Sequence, residues 1–334
     1  MSLIVRRPSR TPLPSRGSIR GVRPTALGRI GLLCAFLLLS ACGEPAGQPV
    51  EERYVVGVVT KSGSSEYWMT LRRGMETAAE ELGMDLIILS PDSEAREDVQ
   101  SKMVEALVKR DVDAIAVSPI DSYHRPEYFD MAEERGIPII SYDTGFADPG
   151  VPYIGIDNRQ AGGALAEHLA EALGHQGEVG IVTGGLEQLN HRQRMEGFAA
   201  RMKSEPEMKV VFVESGYSNL QMSEVKIRRI RAAHPLMEGI VATSAVTALG
   251  IAEGLEDDAV KIVSIDIQKE ALEAVQDGRI SALIAQSGYE IGYRTLLYID
   301  KLRSGTAEAS GEILDAGVLT AGNVEDYMER EYQE

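Results

Sequence analysis

The chain has 334 residues, a formal net charge of −17 and a 44% share of hydrophobic residues. That length is enough for two domains of ordinary size or one large one. An acidic balance repels phosphate backbones and so excludes nucleic acid as a partner. The two cysteines, Cys34 and Cys42, are too few for a disulfide framework or a cysteine-based metal site.

The first element in chain order is an export signal. Ile30 to Leu39 is a continuous apolar run. It is too short for a spanning helix, which takes about 20 residues, but it fits the roughly 7–15 residues of a secretory signal. Seven arginines and no acid precede it, the expected positive flank. Leu39-Ser40-Ala41-Cys42 resembles a bacterial lipobox, and that resemblance implies cleavage before Cys42 and acylation of its thiol. Residues 1–41 are thus read as a lipoprotein signal peptide. Their removal takes seven positive charges from −17 and leaves −24. Residues 42–52 are rich in Gly, Pro and Glu and read as a tether.

From Tyr54 onward, short β-branched runs alternate with amphipathic stretches. Strands are predicted at Val55–Val59, Leu86–Leu89, Ala114–Val117 and Ile137–Ile140, with helices at Glu66–Leu82, Ala95–Lys109 and near Arg125–Arg135. The rhythm then restarts. Strands fall near Val179–Val182, Val210–Val213, Gly239–Ala242, Ile262–Ile265 and Ala282–Ala285. Helices start near Asn158, Gln188, Leu220, Ala245, Lys269 and Gly288. The strands are continuous apolar runs, so both sheet faces are covered, and alternating βα units build a parallel, doubly wound α/β sheet. Some ten strands exceed the usual sheet of about 4–6, so two lobes are expected.

Ligands of open parallel sheets sit at the carboxyl ends of the strands. The residues there include Tyr67-Trp68, Asp143, Arg192, Asp266 and Gln286. Carboxylates and an amide can bind hydroxyls, an arginine supplies fixed donors, and aromatic faces cover the C–H faces of a sugar ring. Alternative chemistry finds less support. The five histidines lack HxxxH or HExxH spacing. Thr183-Gly184-Gly185 lacks the lysine of a phosphate-binding loop, and no GxSxG is present. No metal or cofactor is therefore expected. Asp143 and Asp266 as the acid and base of a glycoside hydrolase stay as a minor alternative. His191 is read as a loop histidine in solvent, with a ligand contact as the alternative, and Asp157 as a helix cap.

The order and spacing of these pieces resemble the type I periplasmic solute-binding proteins, especially the ribose-binding branch. The residues that carry the resemblance are Tyr67-Trp68, Ile139 to Asp143, Ile154 to Asn158 with Ala161-Gly162-Gly163, Arg192 to Phe198, Ala233-His234-Pro235, Ile262 to Asp266 and Ala274 to Gln286. The match covers Tyr54 to about Gly317. It implies two lobes joined by three crossings, with residues 53–156 plus 287–314 in the first and 157–286 plus 315–334 in the second. Crossings are expected near Ile156-Asp157, Gln286-Ser287 and Leu314. By the same resemblance Asp143, Arg192, Asp266 and Gln286 bind ligand, Tyr67 and Trp68 sandwich a sugar ring, and Ser65 and Tyr217 add contacts. Thr144 stands where many ribose binders have arginine, and Ser244-Ala245 where they have an asparagine-aspartate pair. Ribose itself is therefore doubtful, and a larger or differently substituted sugar, a cyclitol or another small polar solute remains open. The implied function is a monomeric, lipid-anchored binding protein, not an enzyme, that delivers solute to an ABC permease. Presentation of the solute to a membrane receptor or kinase is the alternative.

Overall fold

The computed structural model describes residues 53–331 apart from Ser64 and residues 256–258. The signal peptide, Cys42 and the tether lie outside the described residues. The first run of elements is β1 (Val55–Val59), α1 (Glu66–Leu82), β2 (Asp85–Leu89), α2 (Glu97–Lys109), β3 (Ala114–Val117), α3 (Tyr128–Arg135), β4 (Ile139–Tyr142) and β5 (Tyr153–Ile156). The second is α4 (Asn158–Ala172), β6 (Gly177–Thr183), α5 (Leu189–Met202), β7 (Met208–Ser215), α6 (Leu220–Ala233), β8 (Met237–Ala242), α7 (Ala245–Gly254), β9 (Lys261–Ile265), α8 (Lys269–Gln276) and β10 (Ala282–Ile284). The chain closes with α9 (Gly288–Arg303), β11 (Gly311–Leu314), β12 (Val318–Leu319) and α10 (Val324–Glu331).

These strands form two sheets, one for each lobe. The first has the order β11-β5-β4-β3-β1-β2 and the second β12-β10-β9-β8-β6-β7. All pairings are parallel except that of β10 with β12. Buried strands such as Ala114–Val117 have no exposed residue, because helices cover both faces. α1 buries Tyr67, Trp68, Leu71, Met75, Ala78 and Ala79, an apolar stripe at helical spacing. Ile291, Leu296 and Ile299 of α9 join that first-lobe core. Leu165 and Leu169 of α4 join Val179, Val241 and Val263 in the second. The chain therefore changes lobes after β5, after β10 and between β11 and β12. At the first change, Asp157 accepts from the backbone N–H groups of Arg159 and Gln160, an N-cap that starts α4.

Three features differ from the sequence reading. α2 begins at Glu97 rather than Ala95. β4 begins at Ile139 rather than Ile137, because Pro138 has no N–H for the ladder and offers only its carbonyl, which accepts from Ile115. The short strands β5, β11 and β12 and the helix α10 carry too few periodic residues to stand out. β11 and β12 are the edge strands of the two sheets on the side of the crossings, and β5 lies next to β11.

The lobes are closed on each other. Ser122 N donates to the Glu187 carbonyl at 2.9 Å, and Leu189 N to Ser122 Oγ at 2.9 Å. The Glu66 carboxylate of the first lobe accepts from Lys269 N, the first residue of α8, at 3.2 Å.

Candidate functional site

β4 and β9 end alike. Asp143 follows Tyr142 with φ 60° and Asp266 follows Ile265 with φ 81°. This left-handed backbone is uncommon outside glycine, although aspartate tolerates it better than most residues. Both carboxylates line a cavity of about 420 Å³ between the lobes.

Their surroundings differ. Asp143 Oδ1 accepts from Tyr67 Oη at 2.7 Å and Gln286 Nε2 at 2.9 Å. Its Oδ2 accepts from Ser118 Oγ at 3.1 Å and Thr144 Oγ1 at 3.0 Å, and lies 3.2 Å from Lys61 Nζ. Burial alone would raise its pKa, but the Lys61 charge and the Tyr67 hydrogen bond outweigh burial and hold it at about 2. Asp266 has no such support. Among the described residues it receives one long bond, from Ala245 N at 3.5 Å, and its buried Oδ1 has no hydrogen-bond partner. Burial pushes its pKa up to about 6, against the pull of Arg194.

Two buried cations face these acids. Lys61 donates to Thr144 Oγ1 at 2.9 Å and, across the lobes, to Gln188 Oε1 at 2.6 Å. Gln188 Nε2 in turn donates to Glu94 Oε2 at 3.1 Å, and Glu94 Oε1 accepts from Trp68 Nε1 at 3.3 Å. Arg194 donates to Asn158 Oδ1 at 2.9 Å, the Thr243 carbonyl at 2.7 Å and Gln286 Oε1 at 2.8 Å. It reaches the cleft because α4 and α5 pack backbone to backbone. A Cβ at Gly162 would strike the Arg194 carbonyl, and one at Gly197 the Arg159 carbonyl. His191 is buried with Nδ1 2.8 Å from Thr243 Oγ1. Burial, then Arg194 and Lys61, push its pKa well below the usual imidazole value, so the ring is neutral.

The structure brings Ser65, Tyr67, Trp68, Asp143, Tyr217, Ser244 and Asp266 to the cavity wall. Thr144 and Gln286 stand behind the wall and hold Asp143, Lys61 and Arg194. Arg192 is not in the cleft. Its guanidinium donates to the Leu186 carbonyl at 3.0 Å and lies 4.7 Å from the ring centre of Tyr123 in the other lobe. The reason is helical phase. Residues 192 and 194 of α5 lie about 200° apart around the axis, whereas Asn190 and Arg194 share a face and both line the cavity. His191 also lines the cavity rather than sitting in solvent. Tyr67 and Trp68 touch edge to face, with ring centres 5.3 Å apart at 81°. They make one wall, with no space between them for a ring.

Lys61, Glu94 and Arg194 were absent from the site read in the sequence. Lys61 and Glu94 follow a strand within a few residues, which was their available signal, whereas Arg194 lies one turn and more into α5, where only the helix phase reveals it. Lys61 also offsets the missing arginine at Thr144, since its ammonium sits on that hydroxyl.

The sequence profile described as a periplasmic binding protein domain matches residues 56–307. The chain belongs to this periplasmic binding protein family. Its two parallel-sheet lobes are the type I form. The D-ribose/D-allose-binding protein of Pseudomonas aeruginosa is 27% identical over 273 residues, covering 76% of this chain and 85% of that protein. A solved ABC transporter periplasmic solute binding protein from Actinobacillus succinogenes, with bound D-allose, gives a TM-score of 0.78 at 26% identity. That match covers 82% of this chain and 100% of the other. A chain of the XylFII–LytSN complex gives 0.74 at 26% identity, covering 81% of this chain and 98% of the other. Among the described residues, no helix is long and apolar enough to cross a membrane.

Proposed function

We propose that this periplasmic binding protein is an exported lipoprotein, anchored through Cys42, that captures a neutral sugar or cyclitol between its lobes and delivers it to an ABC permease. The observation that carries the ligand class is the mismatch between the two buried charges of each sign. Lys61 is held by Thr144, Gln188 and Asp143, and Arg194 already donates from all three of its nitrogens, keeping one N–H on each terminal nitrogen for a ligand, whereas among the described residues Asp266 Oδ1 is buried without a partner. A ligand that enters must therefore donate a hydrogen bond to Asp266, as a hydroxyl does, and a carboxylate or phosphate there would face its charge instead. The binding of D-ribose/D-allose and D-allose by the similar proteins supports the same class.

Ligand contacts from both lobes would favour the closed form by their differential affinity. Asp266, Tyr67, Trp68, Arg194, Ser65, Ser244 and Tyr217 are the proposed contacts, and Asp143 orients Tyr67 and Lys61. A hydrolase reading is weaker. Both oxygens of Asp143 are engaged by protein donors, so Asp266 has no second free carboxylate opposite it for the two-carboxylate chemistry of glycoside hydrolysis. Presentation to a membrane partner other than a permease is a second reading. It is supported by the likeness to the XylFII–LytSN complex, in which a protein of this fold stands with a second protein.

The test uses Trp68, the only tryptophan in the chain. Pentoses, hexoses, deoxysugars and cyclitols are titrated while its fluorescence is followed. A saturable change with one class, lost in Asp266→Ala, is the expected result. A thermal-shift screen in which none of these sugars or cyclitols raises the midpoint would remove the reading, since any ligand selective for the folded state raises it.

A further inference from the structure

Beyond the ligand cavity lies a second chamber of about 310 Å³. It opens among the loops that follow β2, β3, β6 and β7, which include the strands farthest from the crossings in each sheet. The cleft thus runs from Asp143 and Asp266 near the crossings to this chamber at its mouth. Glu94 and Tyr217 line both spaces. The partition between them includes one side-chain hydrogen bond, Gln188 Nε2 to Glu94 Oε2 at 3.1 Å.

Building on the sugar reading above, we propose that the chamber is a second subsite, and that the physiological ligand is a glycoside whose second sugar unit sits there. Three features fit such a unit. Tyr217, a residue with 53% of its surface exposed, is held at φ 52° in the loop after β7, with Lys226 Nζ 6.0 Å from its ring centre on one side, and the other ring face can cover a sugar ring. Four carboxylates, Glu94, Glu97, Asp121 and Glu187, supply hydroxyl acceptors. Among the described residues the charged side chains that line the chamber are all carboxylates, which disfavours a phosphate or uronate there. Each space alone falls within the size of small-molecule sites, about 300–1,000 Å³. Rotation of the Gln188 amide away from Glu94 would join the two without moving either lobe, and hydroxyls of the glycosidic unit would replace its two hydrogen bonds.

The test is calorimetry on the purified protein with D-glucose, D-galactose, D-allose and D-ribose, set against cellobiose, lactose, maltose and the methyl glycosides of the hexoses. At least one disaccharide is expected to bind tenfold or more tighter than its component hexoses. Ala95→Trp fills the chamber from an exposed position in the first lobe, and Gly185→Trp fills it from the second. Either should abolish the disaccharide's gain and leave the hexose within twofold. The proposal is overturned if a free sugar binds and every disaccharide binds equally or more weakly. It is equally overturned if the gain survives in both filled variants that retain wild-type thermal midpoints. If sugars of both kinds fail to bind the folded protein, the sugar reading itself falls and takes the second subsite with it.

Discussion

Asp266 is the residue at which binding and stability should pull in opposite directions. Its ordinary pKa of 3.8 is raised to about 6 in the folded chain. At about 1.36 kcal/mol per unit, the ionised form costs the unliganded protein about 3 kcal/mol at neutral pH. The sign follows from proton counting. Between about pH 4 and 6 the folded state binds more protons than the unfolded one, so stability falls as pH rises through that window. Asp266→Asn removes the charge and keeps the shape. At pH 7.5 it should raise the unliganded midpoint by about 6–12 °C, using roughly 2–4 °C per kcal/mol for a chain of this order of size. Near pH 4 the advantage should vanish, because wild-type Asp266 is then protonated. The same variant should lose at least tenfold in ligand affinity, having exchanged a two-hydroxyl acceptor for an amide. Differential scanning calorimetry at pH 4 and 7.5, with a ligand titration at pH 7.5, decides it. A midpoint that drops or stays fixed at pH 7.5 would refute the claim that this carboxylate is desolvated without compensation.

Other expected outcomes follow from the same geometry. Ligand affinity should weaken about tenfold per pH unit below 6, since Asp266 must lose its proton to accept two hydroxyls; isothermal titration across pH 4.5–7.5 measures this. Asp143→Ala leaves Lys61 buried without its counter-ion and should destabilise by about 3–5 kcal/mol in urea unfolding. The wild-type Asp143 contribution should itself disappear between about pH 4 and 2, because its folded pKa is depressed. Arg194→Ala should cost more than tenfold in affinity, whereas Arg192→Ala should cost no more than about fivefold, through loss of a cross-lobe contact of about 0.5–1 kcal/mol with Tyr123. Equal losses in the two arginine variants would contradict the phase argument for α5.

The sequence by itself determined the alternation of strand and helix, because a parallel sheet covered on both faces demands continuous apolar strands and striped helices. It also placed Asp143 and Asp266, since the carboxyl end of a strand is a fixed point along the chain. Helix phase was decided only in three dimensions. Arg192 and Arg194 are neighbours in sequence, yet the close approach of α4 and α5 at Gly162 and Gly197 buries one and leaves the other across the cleft mouth. The partnership of Lys61 with Gln188 joins residues 127 positions apart in opposite lobes, and no local pattern encodes such a pair. Nor could composition separate two aspartates of identical chemistry. Only their surroundings distinguish them: Asp143 lies among five donors and stays ionised, while Asp266 is buried with one long backbone bond and one oxygen left for the ligand.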